Sequence, residues 1–200
     1  MRPLSMLNDR SSIVSLLETR RSGKPREFVG PAPSAEELDR ILTLAVRVPD
    51  HGKLTPWRLV IVSDEQREVL AELLRRAMAE EDPDAGEAHH EKEDEFARSA
   101  GSLVVLISAP IENHKVPAWE QILSCGSLGM NLLIAAHALG FVAGWLTGWR
   151  AYSPTINAAF CAPGERIAGF VFIGHPGREL DDRPRPPLGD IGRPWQPPTP

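Results

Sequence analysis

RVPDHGKLTPW, residues 47–57, joins a helical pattern to an apolar strand and so decides how the chain folds on either side of it. Val48 and Thr55 each precede a proline, which disfavours the α-helical conformation and marks a break in the chain. Arg47 and His51 therefore lie in a rigid connection, where polar side chains can face a ligand without disrupting backbone pairing. The stretch predicts a functional loop, and the alternative is a solvated, well-capped turn.

Hydrophobic periodicity alternates between helix and strand outward from this loop. Ser34 and Glu37 form the pattern of a capping box, which predicts a helix that leads into residues 47–57. Residues 59–62 are continuously apolar, as in a strand that is covered on both faces. The same reasoning predicts helices over 12–19, 64–79, 122–139 and 154–160, and strands over 103–108, 141–145 and 167–173. This alternation indicates a mixed α/β or α+β sandwich.

Composition limits the class of protein. Two hundred residues with 42% hydrophobic content suit one compact domain, or one subunit of an assembly with a shared core. A net charge of −5 argues against nucleic acid as the main partner, because phosphate neutralisation needs a surplus of clustered cations. Cys125 and Cys161 have no CxxC spacing, so neither a zinc site nor a disulfide framework is encoded. Without a secretory signal in the first residues, we expect a cytoplasmic protein.

The longest apolar stretch, residues 122–139, is predicted to be a core helix and not a membrane span. It contains Ser124, Asn131 and His137, which a bilayer would not normally tolerate. A helix that is apolar nearly all round must be covered nearly all round, and one subunit of this size offers little cover. We therefore expect a homodimer with this helix at or near the interface. Gly126 and Gly129 within it suggest that another backbone or a flat ligand packs closely.

Two segments lack this periodicity. Residues 80–95 are acidic and contain helix breakers, which predicts a mobile excursion or a solvated helix. The histidines and glutamates at 89–93 could bind a metal in principle, but nothing in the sequence buries or orients them, so no metal site is predicted. Residues 180–200 hold seven of the nineteen prolines and form a C-terminal extension to a domain of residues 1–179. That extension is predicted to be disordered or to form an extended arm over a neighbouring subunit.

Common catalytic signatures are absent. The sequence contains no GxGxxG after a strand, no GxxxxGK[ST], no HExxH and no GxSxG. What remains is four loop segments at the ends of elements, which together offer cations, backbone donors at glycines and aromatic walls. These segments are residues 20–24, 47–57, 145–147 and 174–178. Taken alone, the first of them is also typical of a solvated basic turn.

In this order and at these separations, the segments resemble the nitroreductase family of flavin oxidoreductases, closest to its short NAD(P)H nitroreductase subgroup. The resemblance covers roughly residues 13–177. Its most specific parts are the PDH loop at 49–51 and the run ENHKVPAWEQ at 112–121. It implies an α+β sandwich with a central, mainly antiparallel sheet flanked by helices, and a homodimer in which both subunits line each of two FMN sites.

The resemblance also implies roles for individual residues. FMN contacts are implied for three segments, of which the loop residues are expected to reach the partner subunit's flavin: Arg20, Arg21 and Ser22; Arg47 and His51; and Trp145, Leu146 and Thr147. Contact with the NAD(P)H nucleotide is implied for Ala135, Ala136, His137, Ala138, Leu139 and Gly140. No catalytic side chain is required, because the flavin itself carries out the hydride chemistry.

Three positions depart from the family pattern. Leu146 stands where the subgroup has an arginine, and Arg178 is a candidate to compensate for it. Thr55 stands where the family usually has a glutamine before Pro-Trp. Lys24 falls where more distant members place a lysine near the flavin pyrimidine.

The resemblance implies a ping-pong reaction that passes hydride from NAD(P)H through FMN to a nitroaromatic or quinone acceptor. Two alternatives stay open at this point. One is a non-redox module that binds flavin or a phosphorylated metabolite, which the missing arginine at 146 favours. The other is a flavin enzyme with a different reaction, such as reductive dehalogenation.

Overall fold

A computed structural model describes residues 7–197, and a single five-stranded sheet organises them. Every pair of neighbouring strands is antiparallel. The strand order is β1-β5-β3-β2, and β4 pairs with β5 outside this path. The strands are β1 (Phe28–Val29), β2 (Trp57–Val62), β3 (Ser102–Ser108), β4 (Val142–Leu146) and β5 (Arg166–Pro176).

β5 is the central strand, because it pairs with β1, β3 and β4. Four consecutive residues of β5, from Phe170 to Ile173, are completely buried, so both faces of the strand are covered. This is the burial expected of the apolar run that the sequence shows at 167–173. β2 lies at the opposite edge, and its Arg58 and Ile61 are exposed. The prediction that residues 59–62 are covered on both faces is therefore wrong, because an edge strand has neighbours on one side only.

Seven α-helices form layers on the two faces of the sheet. They are α1 (Ile13–Thr19), α2 (Ala35–Ala45), α3 (Arg67–Glu81), α4 (Glu87–Arg98), α5 (Ala118–Ala138), α6 (Pro154–Phe160) and α7 (Leu188–Ile191). α3, α4 and α6 contribute Leu74, Phe96 and Ile156 to a core cluster on one face. α2 and α5 contribute Ile41 and Leu132 to a cluster on the other face. The predicted sandwich with a mainly antiparallel sheet is confirmed.

Local signals in the sequence set several of these boundaries. The Glu37 amide donates to Ser34 Oγ (3.2 Å) and the Ser34 amide donates to Glu37 Oε2 (2.9 Å), so the predicted capping box begins α2. Ser12 caps α1 by accepting from the Ser15 amide. None of the helices within residues 7–197 combines the length and apolar character that a bilayer crossing needs.

The proline-rich extension follows the end of β5. Residues 181–197 are exposed, and residues 198–200 lie outside the described part of the chain. The expectation that the extension contains no helix is wrong, since Leu188–Ile191 forms one short turn of α-helix after Pro187, a position at which proline is tolerated.

The two glycines of α5 differ in their surroundings. A Cβ atom at Gly129 would lie 2.5 Å from the Trp145 ring, whereas a Cβ atom at Gly126 would meet nothing within 4 Å. Close packing is thus confirmed for Gly129, where the occupant is an indole ring of the same chain. Trp145 is fixed in this position by a hydrogen bond from its Nε1 to the Ala168 carbonyl oxygen (3.0 Å).

Gly129→Ala is therefore expected to lower the free energy of unfolding by about 1–3 kcal/mol, because the added methyl group overpacks the contact with Trp145. Gly189→Ala, at an open position of α7, is the matched control and should change it by less than about 0.5 kcal/mol. Urea denaturation measures both. Equal stability of the two variants would contradict the described packing of Trp145 on α5.

Candidate functional site

A cavity of about 440 Å³ brings together two of the loop segments that the sequence analysis selected. We call it the Arg20 cavity. Residues from the first segment, from β4 and its exit, and from the C-terminal extension surround it. Its lining consists of Arg20, Arg21, Ser22, Leu133, Trp145, Thr147 and Arg183.

The first segment reaches this position by lying along the edge of β4. The Gly23 amide donates to the Ala143 carbonyl oxygen (3.3 Å). A Cβ atom at Gly144 would lie 2.5 Å from the Gly23 carbonyl oxygen, so the two backbones approach more closely than any other residue at 144 would allow. α1 ends at Thr19, and the extended chain that follows places Arg20 and Ser22 beside Trp145.

Positive charge accumulates at the Arg20 cavity without a matching negative charge. The pKa of Arg20 is lowered first by burial and then by the charges of Arg185, Arg183 and Arg21. Arg20 Nη1 donates to Ser22 Oγ (3.2 Å), and Arg21 Nε donates to the Asp181 carbonyl oxygen (2.7 Å), so neither bond supplies a full negative charge. Four arginines that repel one another form a site for an anion, and guanidinium groups suit the paired oxygens of a phosphate.

A second cavity, of about 370 Å³, adjoins the first, since both are lined by Ser22 and Trp145. We call it the Phe96 cavity. Pro25, Phe96 and Leu146 give it an apolar wall, and Lys24, Arg26, Lys92 and Arg150 contribute cationic side chains. The two cavities together form a groove that is cationic at one end and partly apolar at the other.

α4 forms the outer wall of the Phe96 cavity, and a buried ion pair holds it there. Glu93 is only 3% exposed and accepts from Arg150 Nη2 (2.6 Å), Arg150 Nε and Trp149 Nε1 (3.2 Å). The Arg150 guanidinium carbon lies 4.0 Å from the centre of the Phe96 ring, within the range of a cation–π contact. Residues 87–98 are therefore a helix whose inner face is anchored in the core, and neither a mobile excursion nor a fully solvated helix.

The loop at 47–57 is rigid, but its predicted ligand residues do not line the groove of their own chain. The Asp50 carboxylate accepts from the Leu54 amide (3.1 Å) and the Thr55 amide (2.8 Å). Thr55 adopts a φ of 51°, a strained conformation for a β-branched residue that persists only when its surroundings impose it. Arg47 and His51 are exposed on the outside of this loop.

α5 fixes the loop through polar residues along one side. Ser124 Oγ donates to the Pro49 carbonyl oxygen, and Asn131 Nδ2 donates to the carbonyl oxygens that end α2, with 3.1 Å to Ala45. His51 Nδ1 lies 2.7 Å from Glu120 Oε2. The loop is therefore preorganised, with Arg47 and His51 facing away from the chain that carries them.

The segment predicted to contact the nicotinamide nucleotide is the C-terminal end of α5 and the turn after it. Ala135, Ala136 and His137 are buried within the chain, whereas Ala138 is exposed and Leu139 and Gly140 are partly exposed. His137 and Gly140 line a separate cavity of about 550 Å³. Only this exposed half and the cavity beside it are accessible to a ligand, and nucleotide contact here stays a prediction.

His137 is held neutral. Its Nε2 accepts from the Ala143 amide (3.0 Å), and burial, assisted by the charge of Arg20, lowers its pKa to about 4. The imidazole therefore supports the start of β4, at the same residue whose carbonyl oxygen receives the Gly23 amide.

Three contributors to the groove escape reasoning from the sequence: Arg150, Glu93 and Arg183. Arg178, which was expected to compensate for Leu146, instead binds Glu27 (2.9 Å) and lines the separate cavity beside His137. The Arg-Pro pairs of the extension are the one available signal for Arg183. Within residues 7–197, no cluster of three or more His, Cys, Asp or Glu side chains is arranged to hold a metal ion.

A five-stranded antiparallel sheet between helical layers, with an arginine-lined groove at the edge of β4, defines a nitroreductase-like fold. The sequence matches the Nitroreductase family over residues 17–175. The chain belongs to this family of oxidoreductases.

Individual relatives agree with this assignment. A Haemophilus influenzae protein named "Putative NAD(P)H nitroreductase" is 38% identical over 164 residues, which are 80% of this chain and 86% of that protein. Escherichia coli "Putative NAD(P)H nitroreductase YdjA" is 34% identical over 168 residues, or 82% of this chain and 87% of that protein. A crystal structure from Exiguobacterium sibiricum, described as "a putative nitroreductase in complex with FMN", is 17% identical with a TM-score of 0.70, covering 93% and 98% of the two chains.

The depressed pKa of His137 predicts a specific pH dependence of stability. The unfolded chain binds this proton near pH 6.5 and the folded chain only near pH 4, so the folded state should lose about 3 kcal/mol of stability as the pH falls between these values. His137→Gln, whose side-chain oxygen can still accept from Ala143, should remove this component of the pH dependence. Urea titrations from pH 7 to pH 4 measure it, with His51→Gln, at an exposed histidine, as the control that should retain it.

Proposed function

We propose that this protein is an FMN-dependent oxidoreductase that takes hydride from NAD(P)H and passes it to a nitroaromatic or quinone acceptor. The observation that carries the proposal is the groove, whose four convergent arginines lie beside a partly apolar cavity. FMN has the matching form, with a phosphate at one end and a planar ring at the other. The names of the relatives and the FMN complex of the Exiguobacterium protein support the same ligand.

The Arg20 cavity is the proposed phosphate site. Arg20 and Arg21 enter it from the segment after α1, and Arg183 enters it from the C-terminal extension. A bound phosphate would relieve the repulsion that lowers the pKa of Arg20. The extension is thus part of the proposed binding site and not a mere appendage.

The Phe96 cavity is the proposed position of the flavin ring. Leu146 and Phe96 offer apolar surface, and the close approach of Gly23 and Gly144 leaves backbone groups near the cavity wall. When bound, FMN supplies the hydride chemistry, accepting hydride from NAD(P)H and donating it to the acceptor in a separate half-reaction. The chain's own residues bind the phosphate, position the ring and exclude water from one side of it.

We propose that two such sites form in a homodimer. α5 exposes a stripe of large apolar side chains, including Trp119 (67% exposed), Ile122, Leu123 and Met130. Such a contiguous apolar surface on a helix is characteristic of an interface. Arg47 and His51 lie outside their own groove, in a loop fixed to the same helix, where a partner subunit's flavin would be within reach.

The nicotinamide donor is proposed to use the accessible half of the predicted segment, Ala138–Gly140, with the adjoining cavity. Burial of Ala135 and Ala136 leaves them no surface for a dinucleotide, so their part is to hold the turn in place.

Loss of arginines should weaken FMN binding much more than it weakens folding. Arg20→Ala and Arg183→Ala each remove a charge-assisted contact to the phosphate, which is expected to raise the Kd for FMN by about tenfold to a hundredfold. Fluorescence quenching of FMN measures the Kd. Arg178→Ala is the control, since its guanidinium binds Glu27 in another cavity, and a Kd raised equally by all three variants would contradict the proposed phosphate site.

The reaction itself is tested with the FMN-loaded protein under anaerobic conditions. Addition of NADH or NADPH should bleach the visible flavin absorbance, and a subsequent nitroaromatic or quinone should restore it. Protein that remains free of FMN after incubation would contradict the cofactor assignment. Protein that binds FMN but is bleached by neither nucleotide would support the non-redox binding module instead.

Leu123→Asp should disrupt the proposed dimer, because it places a charge in the middle of the exposed apolar stripe of α5. Light scattering should then give a monomer mass, together with weaker FMN binding if the partner contributes to each site. Val69→Asp is the control, at an exposed apolar residue of α3. A wild-type protein that is monomeric at micromolar concentration would contradict the dimer.

A further inference from the structure

Arg150 and Glu93 form an ion pair beside the Phe96 cavity, and the pair joins two elements that are distant in the sequence. Arg150 belongs to the 3₁₀ turn Trp149–Ala151, which follows β4, and Glu93 lies on the inner face of α4. The two side chains are 14% and 3% exposed. Charges this deeply buried are stabilised only when they are paired and hydrogen-bonded.

The pairing leaves one nitrogen of Arg150 available. Nε and Nη2 both donate to the Glu93 carboxylate, whereas Nη1 has no hydrogen-bond partner among the described residues. Nη1 is also not among the buried polar atoms that lack a partner, so it keeps accessible surface. Because Arg150 lines the Phe96 cavity, this surface is available to whatever occupies the cavity.

Arg150 stands close to the position from which an arginine is missing. Leu146 occupies the place where the subgroup has an arginine, and its side chain packs against the core cluster that contains Phe96. Arg178 is engaged elsewhere by Glu27. Arg150, four residues after Leu146, is the side chain that brings a guanidinium to the same cavity.

We propose that Arg150, held by Glu93, is a positioning residue that tunes the reduction potential of the flavin ring in the Phe96 cavity. This inference rests on the proposed function. Reduced flavin carries negative charge over its pyrimidine edge, and a fixed cationic donor in a dry cavity stabilises that charge more than it stabilises the neutral oxidised ring. Glu93 orients the guanidinium and moderates its field.

A purely structural pair predicts a different outcome. If Arg150 serves only to anchor α4 on Phe96, its replacement alters stability and leaves the preference for reduced over oxidised flavin unchanged. The potential is therefore the informative readout, together with the Kd for oxidised FMN.

The first test replaces both partners, Arg150→Met with Glu93→Leu, so that no buried charge is left unpaired. The FMN-loaded double variant should bind oxidised FMN within about threefold of wild type but reduced FMN at least tenfold more weakly. A tenfold change corresponds to a potential lower by about 30 mV for a two-electron couple. Spectrophotometric titration against a reference dye measures it. A folded double variant with an unchanged potential would overturn the inference.

Glu93→Gln gives a second measurement with the opposite sign, and it keeps the proposal testable if the double variant does not fold. Gln retains the shape and an acceptor oxygen but removes the charge that moderates Arg150, so the potential should rise. A potential that is unchanged or lower in folded Glu93→Gln would also overturn the inference.

The matched control is the ion pair of Arg58 and Glu165, which lies on β2 away from the groove and has the same two-nitrogen geometry. Arg58→Met with Glu165→Leu should leave the potential as in wild type. Wild-type protein that binds no FMN would overturn the proposed function and this inference together. Normal FMN binding and reduction, with no shift in the Arg150 and Glu93 variants, would overturn this inference alone.

Discussion

The groove exists because one extended segment lies directly against the edge of β4. The hydrogen bond from the Gly23 amide to the Ala143 carbonyl oxygen fixes this approach, and Gly144 makes room for it. Arg20 and Ser22 take their positions from that contact, as does the boundary between the two cavities. Below it, the neutral imidazole of His137 accepts from the Ala143 amide, so the same residue is held from two sides. A small amount of backbone geometry thus determines where the cationic side chains can meet.

The two ends of the groove treat buried charge in opposite ways. Around Arg20 the nearest charges are those of other arginines, and this end is completed only by an anion from outside. Beside Phe96 the chain supplies its own carboxylate, and Arg150 is left with a single free nitrogen. The first arrangement provides affinity, because repulsion is relieved when an anion binds. The second provides a weak, directed field, which suits a group whose charge changes during a reaction.

Much of the architecture could be predicted from local patterns. Ser34 and Glu37 mark the start of α2, and the apolar run near Phe170 marks a strand covered on both faces, because such signals depend on neighbouring residues alone. The convergence of Arg20 with Trp145 followed from the family resemblance and not from periodicity. Glu93 was missed because an acid among other acids indicates a solvated face, and its burial depends on a partner 57 residues away. Arg183 was missed because a proline-rich extension has no periodicity that would place it in space.

The position of Arg183 separates two properties that usually fail together. Every strand and every helix of two turns or more ends before Asp182, so the chain beyond that residue adds nothing to the sheet or to its core. Prolines restrict the conformations of this arm before it docks, which lowers the entropy lost when its arginines are held at the groove. A nick by a protease within the arm would therefore yield a protein that is fully folded yet depleted of its prosthetic group, and loading with that group would in turn shield the arm from cleavage.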